Sequence, residues 1–199
     1  MITRKEMTRM LLKEGLLSCL ANDSFESVTV TSLCKASGIT RSTFYLHYRN
    51  IMEIVDDLVD DAISYSRPGM VDNNNLQIIA KALSAASNSI SLREAYDSIF
   101  DRLPLCQRII RHKKYLPLFL DEQISEYVLQ RIIGREKDRQ GLVMAEALGI
   151  SFDVGVSVFV FLVHGLYAIN KEYKWTQSDE WLGAQKVIFE LVYRGLQSK

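Results

Sequence analysis

The sequence predicts an all-α protein of about nine helices, and three observations carry that prediction. Residues Thr29 to Asn50 read as two short capped helices joined at Gly38. Leu12, Leu16, Cys19 and Leu20 fall at i, i+4, i+7 and i+8, the apolar stripe of an amphipathic helix. Val154 to Ile169 is apolar over 16 residues, too long for an ordinary strand.

Thr3 to Asn22 forms the first predicted helix, and Arg4 and Lys5 at its start can reach phosphate. Asp23 to Val28 is a loop in which Phe25 plugs a small core. Thr29 caps a helix from Val30 to Ser37, its hydroxyl accepting an unpaired backbone N–H of the first turn. Gly38 supplies the left-handed conformation that stops it. Thr40 caps a second helix from Arg41 to about Tyr48. Two short helices joined by a glycine-containing turn make a helix-turn-helix. Leu33, Cys34, Ile39 and Phe44 are its inward residues, which leaves Arg41, Ser42, Thr43, Tyr45 and His47 facing out.

That outward set suits duplex DNA. The first turn of such a helix meets base edges in the major groove. Arg41 can bond guanine bidentately, and the hydroxyls of Thr40, Ser42 and Thr43 can read several bases. Tyr45, His47, Tyr48 and Arg49 carry donors suited to phosphate oxygens. An ordinary helical hairpin with a solvated face is the alternative that spacing alone leaves open.

The run ITRSTFYLHY, preceded by LCKASG and followed by RNIMEIV, resembles the N-terminal domain of TetR-type (TetR/AcrR) transcriptional regulators. The likeness covers about the first 65 residues, from the helix carrying Leu12 to Leu20, and its Thr-Phe-Tyr segment is the most specific part. It implies a dimeric, all-helical DNA-binding protein with a divergent ligand-binding C-terminal domain. The implied activity is repression lifted when a small ligand releases the protein from a palindromic operator. The alternative is a regulator of the same fold whose C-terminal domain binds a protein partner or nothing. Thr29, Thr40, Arg41, Ser42, Thr43, Tyr45, His47, Tyr48, Arg49, Arg4 and Lys5 make up the expected DNA-binding set, with Tyr45, His47 and Tyr48 at positions that contact the backbone or pack. Two departures are plain. Ile51 stands where the family often opens the next helix with a phosphate-gripping lysine, and Ser24 stands where it commonly has glycine.

Asn50 and Glu53 form an N-x-x-E capping box for a fourth helix to about Tyr65. Ile51, Ile54, Val55, Leu58 and Ala62 give that helix a buried side, and Asp56, Asp57, Asp60 and Asp61 an outer face expected to be solvated. Pro68-Gly69 and Asn73-Asn74-Asn75 mark the expected boundary. Residues 1–50 would be the DNA-binding domain, 50–66 the connecting helix, and 67–199 the regulatory and dimerisation domain. Leu76 to Ile90 and Leu92 to about Leu103 are further helices. Leu105 to Tyr115 is basic through Arg108, Arg111, His112, Lys113 and Lys114, read as a solvated or ligand-facing surface. Leu118 to about Lys137 is helical, and Asp138 to Gly141 reads as a polar loop or frayed end.

Phe152 to Tyr173 falls short of a bilayer span in its apolar run and is interrupted by Asp153, Ser157 and His164. A helix apolar all round needs cover on every side, and a second subunit is the natural source. Ser178 caps a last helix, Asp179 to Leu196. Phe152, Val156, Phe159, Val163, Trp181, Ala184, Ile188, Leu191 and Val192 are the expected homodimer interface, a four-helix arrangement about a two-fold axis. Tyr96, Phe100, Tyr115, Phe119, Tyr127, Phe159, His164 and Tyr167 are candidate walls for a small hydrophobic or aromatic ligand.

Composition narrows the classes. The chain has 24 Lys/Arg and 24 Asp/Glu in 199 residues and nets to zero. Its first 50 residues hold seven basic and four acidic side chains, a mildly basic end on an acidic body. Cys19, Cys34 and Cys106 lack metal-ligand spacing and read as buried thiols of a reducing, cytoplasmic compartment. No phosphate loop, nucleophile motif or paired histidine ligand is present, so no enzymatic activity, cofactor or metal is expected.

Overall fold

Thr3 starts the first helix as predicted. Its hydroxyl accepts the Glu6 N–H at 3.2 Å, and the Glu6 carboxylate accepts the Thr3 N–H at 2.7 Å. The computed structural model describes residues 3–66, 75–85, 90–104, 106–108 and 113–197. The expected boundary at Pro68-Gly69 and Asn73-Asn74, and Leu105, Arg111 and His112 of the basic stretch, lie outside the described residues. Among those described the regular elements are all helical, so the all-α fold class stands. We number them α1 Arg4–Leu20, α2 Val30–Ser37, α3 Arg41–His47, α4 Ile51–Ser66, α5 Asn75–Ser84, α6 Leu92–Ser98, α7 Pro117–Leu120, α8 Ser125–Leu148, α9 Phe152–Glu172 and α10 Asp179–Gln197.

Contacts group the chain into two units, Met1–Ser64 with His112–Ile132, and Tyr65–Arg111 with Ile133–Lys199. In the first, Leu12, Leu16 and Leu20 of α1 are buried with Leu33 of α2, Phe44 of α3 and Ile54, Val55 and Leu58 of α4. Each buried side chain of this size contributes about 1.5–3 kcal/mol. Cys34 is buried and Cys19 half-buried, and both are free thiols. Helix α1 crosses α2 at Gly15, where an added Cβ would lie 2.9 Å from Ser37 Cβ. That approach holds the α2–α3 hairpin close against α1.

The acidic outer face of α4 is not a solvated surface. Asp57 pairs with Arg9 and Asp61 with Lys13, both from α1. Asp56 accepts the Tyr127 hydroxyl at 2.7 Å and pairs with Arg131 at 2.7 Å, both from α8. Within the same unit Lys114 pairs with Glu14 at 2.7 Å, and Asp121 accepts the Phe25 N–H at 2.6 Å.

The predicted helix from Leu118 to Lys137 is interrupted early and continues later. Asp121 Oδ1 accepts the N–H groups of Gln123 and Ile124, a local bond pattern that ends α7 and leads into α8. Asp138 to Gly141, expected as a loop, is helical within α8. Burial explains the difference. Glu136 and Gln140 are buried, Glu136 pairs with Arg139, and Gly141 meets α9 at Gly155. A Cβ on Gly155 would sit 2.3 Å from the Gly141 carbonyl oxygen, a spacing only glycine permits.

The second unit buries Ile79, Leu83, Tyr96, Leu103, Phe159, Trp181 and Phe189. A chain of polar bonds crosses it. Tyr96 Oη donates to Gln107 at 2.6 Å, and Gln107 Nε2 donates to Gln185 at 2.6 Å. Trp181 Nε1 donates to Asn170 Oδ1 at 2.9 Å, fixing α10 to α9. Arg108, expected on a surface, is buried with its guanidinium over the Tyr65 and Phe100 rings. Helix α9 has 21 residues, longer than its apolar run, and by length and composition meets the requirement for a membrane span. Of that apolar window 28% is buried within the chain, and Asn170 near its C-terminal end bonds to Trp181 inside the protein.

Candidate nucleic-acid interface

The hairpin is built by local caps. Thr29 Oγ1 accepts the Ser32 N–H at 3.1 Å, and Ser32 Oγ accepts the Thr29 N–H at 2.9 Å, so both ends of that turn are satisfied. Gly38 takes φ +67°, and the Ile39 N–H returns to the Cys34 carbonyl at 3.0 Å. Thr40 Oγ1 accepts the Thr43 N–H at 3.2 Å and lies 2.9 Å from Thr43 Oγ1 and 3.0 Å from Ser42 Oγ. Three hydroxyls are thereby clustered at the start of α3.

Phe44 anchors α3, fully buried, with Tyr45 edge-on to it at 5.1 Å. That single anchor turns Arg41 and Ser42 outward and leaves Tyr45 54% exposed. Leu46 is 81% exposed, the largest apolar exposure on α3. Leu46 is in neither the inward nor the outward set read from the sequence; the helical phase of Phe44 and Tyr48 is the signal that places it outside.

Tyr48 belongs to the packing set. It is buried, its hydroxyl donates to Asp57, and the Arg9 guanidinium sits 5.0 Å from its ring centre. Burial first, then the bond to Asp57, pushes its hydroxyl pKa well above the tyrosine range. Asp57 in turn raises the Arg9 pKa through their direct bond. His47 is half-buried, with Nδ1 enclosed and meeting no hydrogen-bond partner among the described residues. Arg49 is exposed and lies 3.9 Å from Glu53. The capping box at α4 is shifted by one residue: Asn50 accepts the Glu53 N–H at 3.1 Å, whereas Glu53 accepts from Arg49 N–H at 2.8 Å. Arg4 and Lys5 are exposed on the first turn of α1, and the hydroxyl of Thr29 is occupied by its cap.

No family model matches the chain, and neither does any curated protein sequence. Among solved structures the chain is similar to the crystal structure of the TetR family repressor AlkX from Dietzia sp., implicated in biodegradation of n-alkanes. The two share 14% identity over 95% of each chain, with a TM-score of 0.42. A likeness that distant does not carry a function.

The remaining candidates fall in two groups. Tyr115 and Phe119 are buried in the first unit, and Tyr127 lies at its surface on Asp56. Tyr96, Phe100, Phe159, His164 and Tyr167 belong to the second unit. Phe159 alone of these eight lines the described apolar cavity there, of about 80 Å³. Tyr96 bonds Gln107, Tyr167 packs edge-on against Trp175 at 5.6 Å, and His164 Nδ1 lies 2.9 Å from the Val160 carbonyl. Tyr96 and Tyr167 are buried core positions, and His164 is half-buried.

The expected interface residues also divide. Trp181 is fully buried and Phe159 nearly so within this chain, so neither is offered to another subunit. Leu191 is 66% exposed and Phe152 is exposed, as are Val154, Phe161 and Val187, which the sequence stripe did not include. Val156, Val163, Ala184, Ile188 and Val192 are half-buried.

Proposed function

We propose that the chain is a sequence-specific DNA-binding transcription regulator of TetR type acting as a homodimer. The observation that carries this is α3 itself. Thr40, Arg41, Ser42, Tyr45 and Leu46 stand outside on a helix held by one buried ring, Phe44. A reading helix needs that combination of a rigid base and a polar first turn free to meet base edges. Arg41 reads guanine, the Thr40–Ser42–Thr43 hydroxyls contact bases or phosphate, and Leu46 packs on a thymine methyl or sugar. Tyr45, His47, Arg49, Arg4 and Lys5 hold the backbone, and the Thr29 cap sets the angle at which α2 enters. The first unit is the reading domain and the second the regulatory and dimerisation domain.

The exposed apolar positions Phe161 and Leu191, on α9 and α10, support a two-fold interface. An added Cβ at Gly165 would meet nothing within 4 Å, which leaves room for a partner helix. Such a dimer places two α3 helices in successive major grooves, about 34–36 Å apart. A ligand that prefers a different separation would release DNA, since only differential affinity moves the equilibrium. Repression relieved by a small molecule in the cytoplasm is the form this takes.

Titration of the chain onto duplex DNA tests the reading. The double variant Arg41→Ala/Tyr45→Ala is expected to lose binding with its melting temperature unchanged. Undiminished binding by a folded double variant would place the interface elsewhere. A regulator whose second unit binds a protein partner would show the same DNA binding, without any response to small molecules.

A further inference from the structure

Helix α3 carries no acidic residue, and Arg41, Ser42 and Tyr45 are exposed on it, with Arg49 exposed just beyond its end. Into that polar, cationic surface the chain sets one aliphatic side chain. Leu46 is 81% exposed, the largest value among the exposed large hydrophobics described. It follows Ser42 by four residues and shares its face of the helix. No second aliphatic side chain stands on α3, so Leu46 does not belong to the broad apolar patch that a protein partner needs. The hydroxyls around it are bonded to one another. Thr40 Oγ1 accepts the Thr43 N–H and lies 3.0 Å from Ser42 Oγ and 2.9 Å from Thr43 Oγ1. Serine and threonine accept several bases in any case, so discrimination on α3 falls to Arg41 and Leu46.

A lone exposed leucine needs no explanation on a solvated helix; on one that enters a groove it has a single partner. An acid-free, cationic helix suits a polyanion, and the apolar group that duplex DNA presents in its major groove is the C5 methyl of thymine. Cytosine methylated at C5 carries the same group at the same place. Leucine neither donates nor accepts a hydrogen bond, so it cannot tell the thymine O4 from the cytosine amino group and registers the methyl alone. We propose that Leu46 reads the C5 methyl of one pyrimidine in each half-site, accepting thymine and 5-methylcytosine and discriminating against deoxyuridine and unmodified cytosine. DNA affinity thereby responds to cytosine methylation at that step. Leu46 lies five residues beyond Arg41, about 7.5 Å along the helix at ~1.5 Å per residue. The methyl therefore falls about two base pairs from the guanine of Arg41, at ~3.4 Å per base pair. This rests on α3 being the reading helix, as proposed above, and names the chemical group that one of its side chains selects.

The test is selection by the full chain from three random duplex pools: one ordinary, one with thymine replaced throughout by deoxyuridine, and one with cytosine replaced throughout by 5-methylcytosine. The ordinary pool is expected to enrich thymine about fourfold over cytosine at one position of each half-site, the worth of one buried methyl. That preference should vanish from the deoxyuridine pool while the guanine read by Arg41 remains. In the third pool thymine and 5-methylcytosine should be taken equally there. Leu46→Ala should lose the preference in the ordinary pool with its melting temperature unchanged, and Leu46→Met, close to leucine in volume, should keep it. Equal preference in the thymine and deoxyuridine pools, rejection of 5-methylcytosine, or a preference that survives Leu46→Ala overturns the proposal and leaves α3 as the reading helix. A motif that keeps its guanine but has no methyl-dependent position does the same and assigns Leu46 to the sugar. Failure of all three pools to enrich any sequence overturns the reading role of α3, and this inference with it.

Discussion

Tyr48 donates its hydroxyl to Asp57 at 2.5 Å, and the same carboxylate holds Arg9 of α1. One acidic side chain on α4 thus joins the end of the reading hairpin to the helix beneath it. The tyrosine sits where the family resemblance allowed a phosphate contact or a packing role, and its burial and bond to Asp57 favour packing. Tyr48→Phe is therefore expected to cost about 1 kcal/mol of stability, the worth of one buried hydrogen bond. Its DNA affinity should match the parent's. Denaturant melts and anisotropy titrations check both, and a selective loss of DNA affinity would return Tyr48 to the contact surface.

Burial of Tyr48, together with the same bond, gives a pH dependence with a defined sign. The folded state raises the Tyr48 pKa, so it holds the proton after the unfolded chain has released it near pH ~10. The stabilisation is complete below that pH and declines as pH rises toward the folded-state value. The stability difference between the parent and Tyr48→Phe should be constant from pH 7 to 9 and narrow above ~10. A gap that widens there contradicts the arrangement.

Gly15 faces Ser37 where α1 and α2 cross. Gly15→Ala is expected to destabilise by about 1–3 kcal/mol through overpacking, although alanine favours a helix interior by about 0.5–1 kcal/mol. Adding Ser37→Gly should recover part of the loss by removing the opposing Cβ. Calorimetry of the double-mutant cycle decides; additive effects would show that the two positions do not press on each other.

Trp181 and Leu191 lie on one helix and should behave oppositely. Trp181→Ala gives up a fully buried ring and its bond to Asn170, for a loss of about 3–5 kcal/mol in every oligomeric state. Leu191→Glu adds a charge to an exposed position and should yield a folded monomer in sedimentation. A dimer that survives Leu191→Glu paired with Phe161→Glu would move the interface to another face.

Arg41→Ala should weaken specific DNA by about 1–3 kcal/mol and relax one base position, while Tyr45→Phe should weaken all duplexes alike. Equal loss across sequences for Arg41→Ala would make it a phosphate clamp. No change for Tyr45→Phe would leave that ring as packing only.

How far the sequence could be read depended on the range of the interactions. Helices α2 and α3 were legible almost to the residue, because Thr29, Gly38 and Thr40 act on neighbours three or four positions away. The pairing of Asp57 and Asp61 with Arg9 and Lys13 was not, since the partners lie 48 residues apart. Asp138 to Gly141 looked like a loop because polar composition reports a lack of apolar residues. It cannot report that Glu136 and Gln140 are buried and that two glycines let α9 approach. Trp181 fell on the same stripe as Leu191 although it is turned inward, and a stripe alone does not distinguish this chain's own core from a partner's.

Selection of bound duplexes from a random pool bears most directly on the central claim, that α3 reads DNA from a two-fold dimer. Enrichment of an inverted repeat with half-sites about 10–10.5 base pairs apart, or a whole multiple of that, is the predicted result, with one guanine lost from the motif in Arg41→Ala. Recovery of a pool with no enriched sequence, or of a site lacking two-fold symmetry, would contradict it.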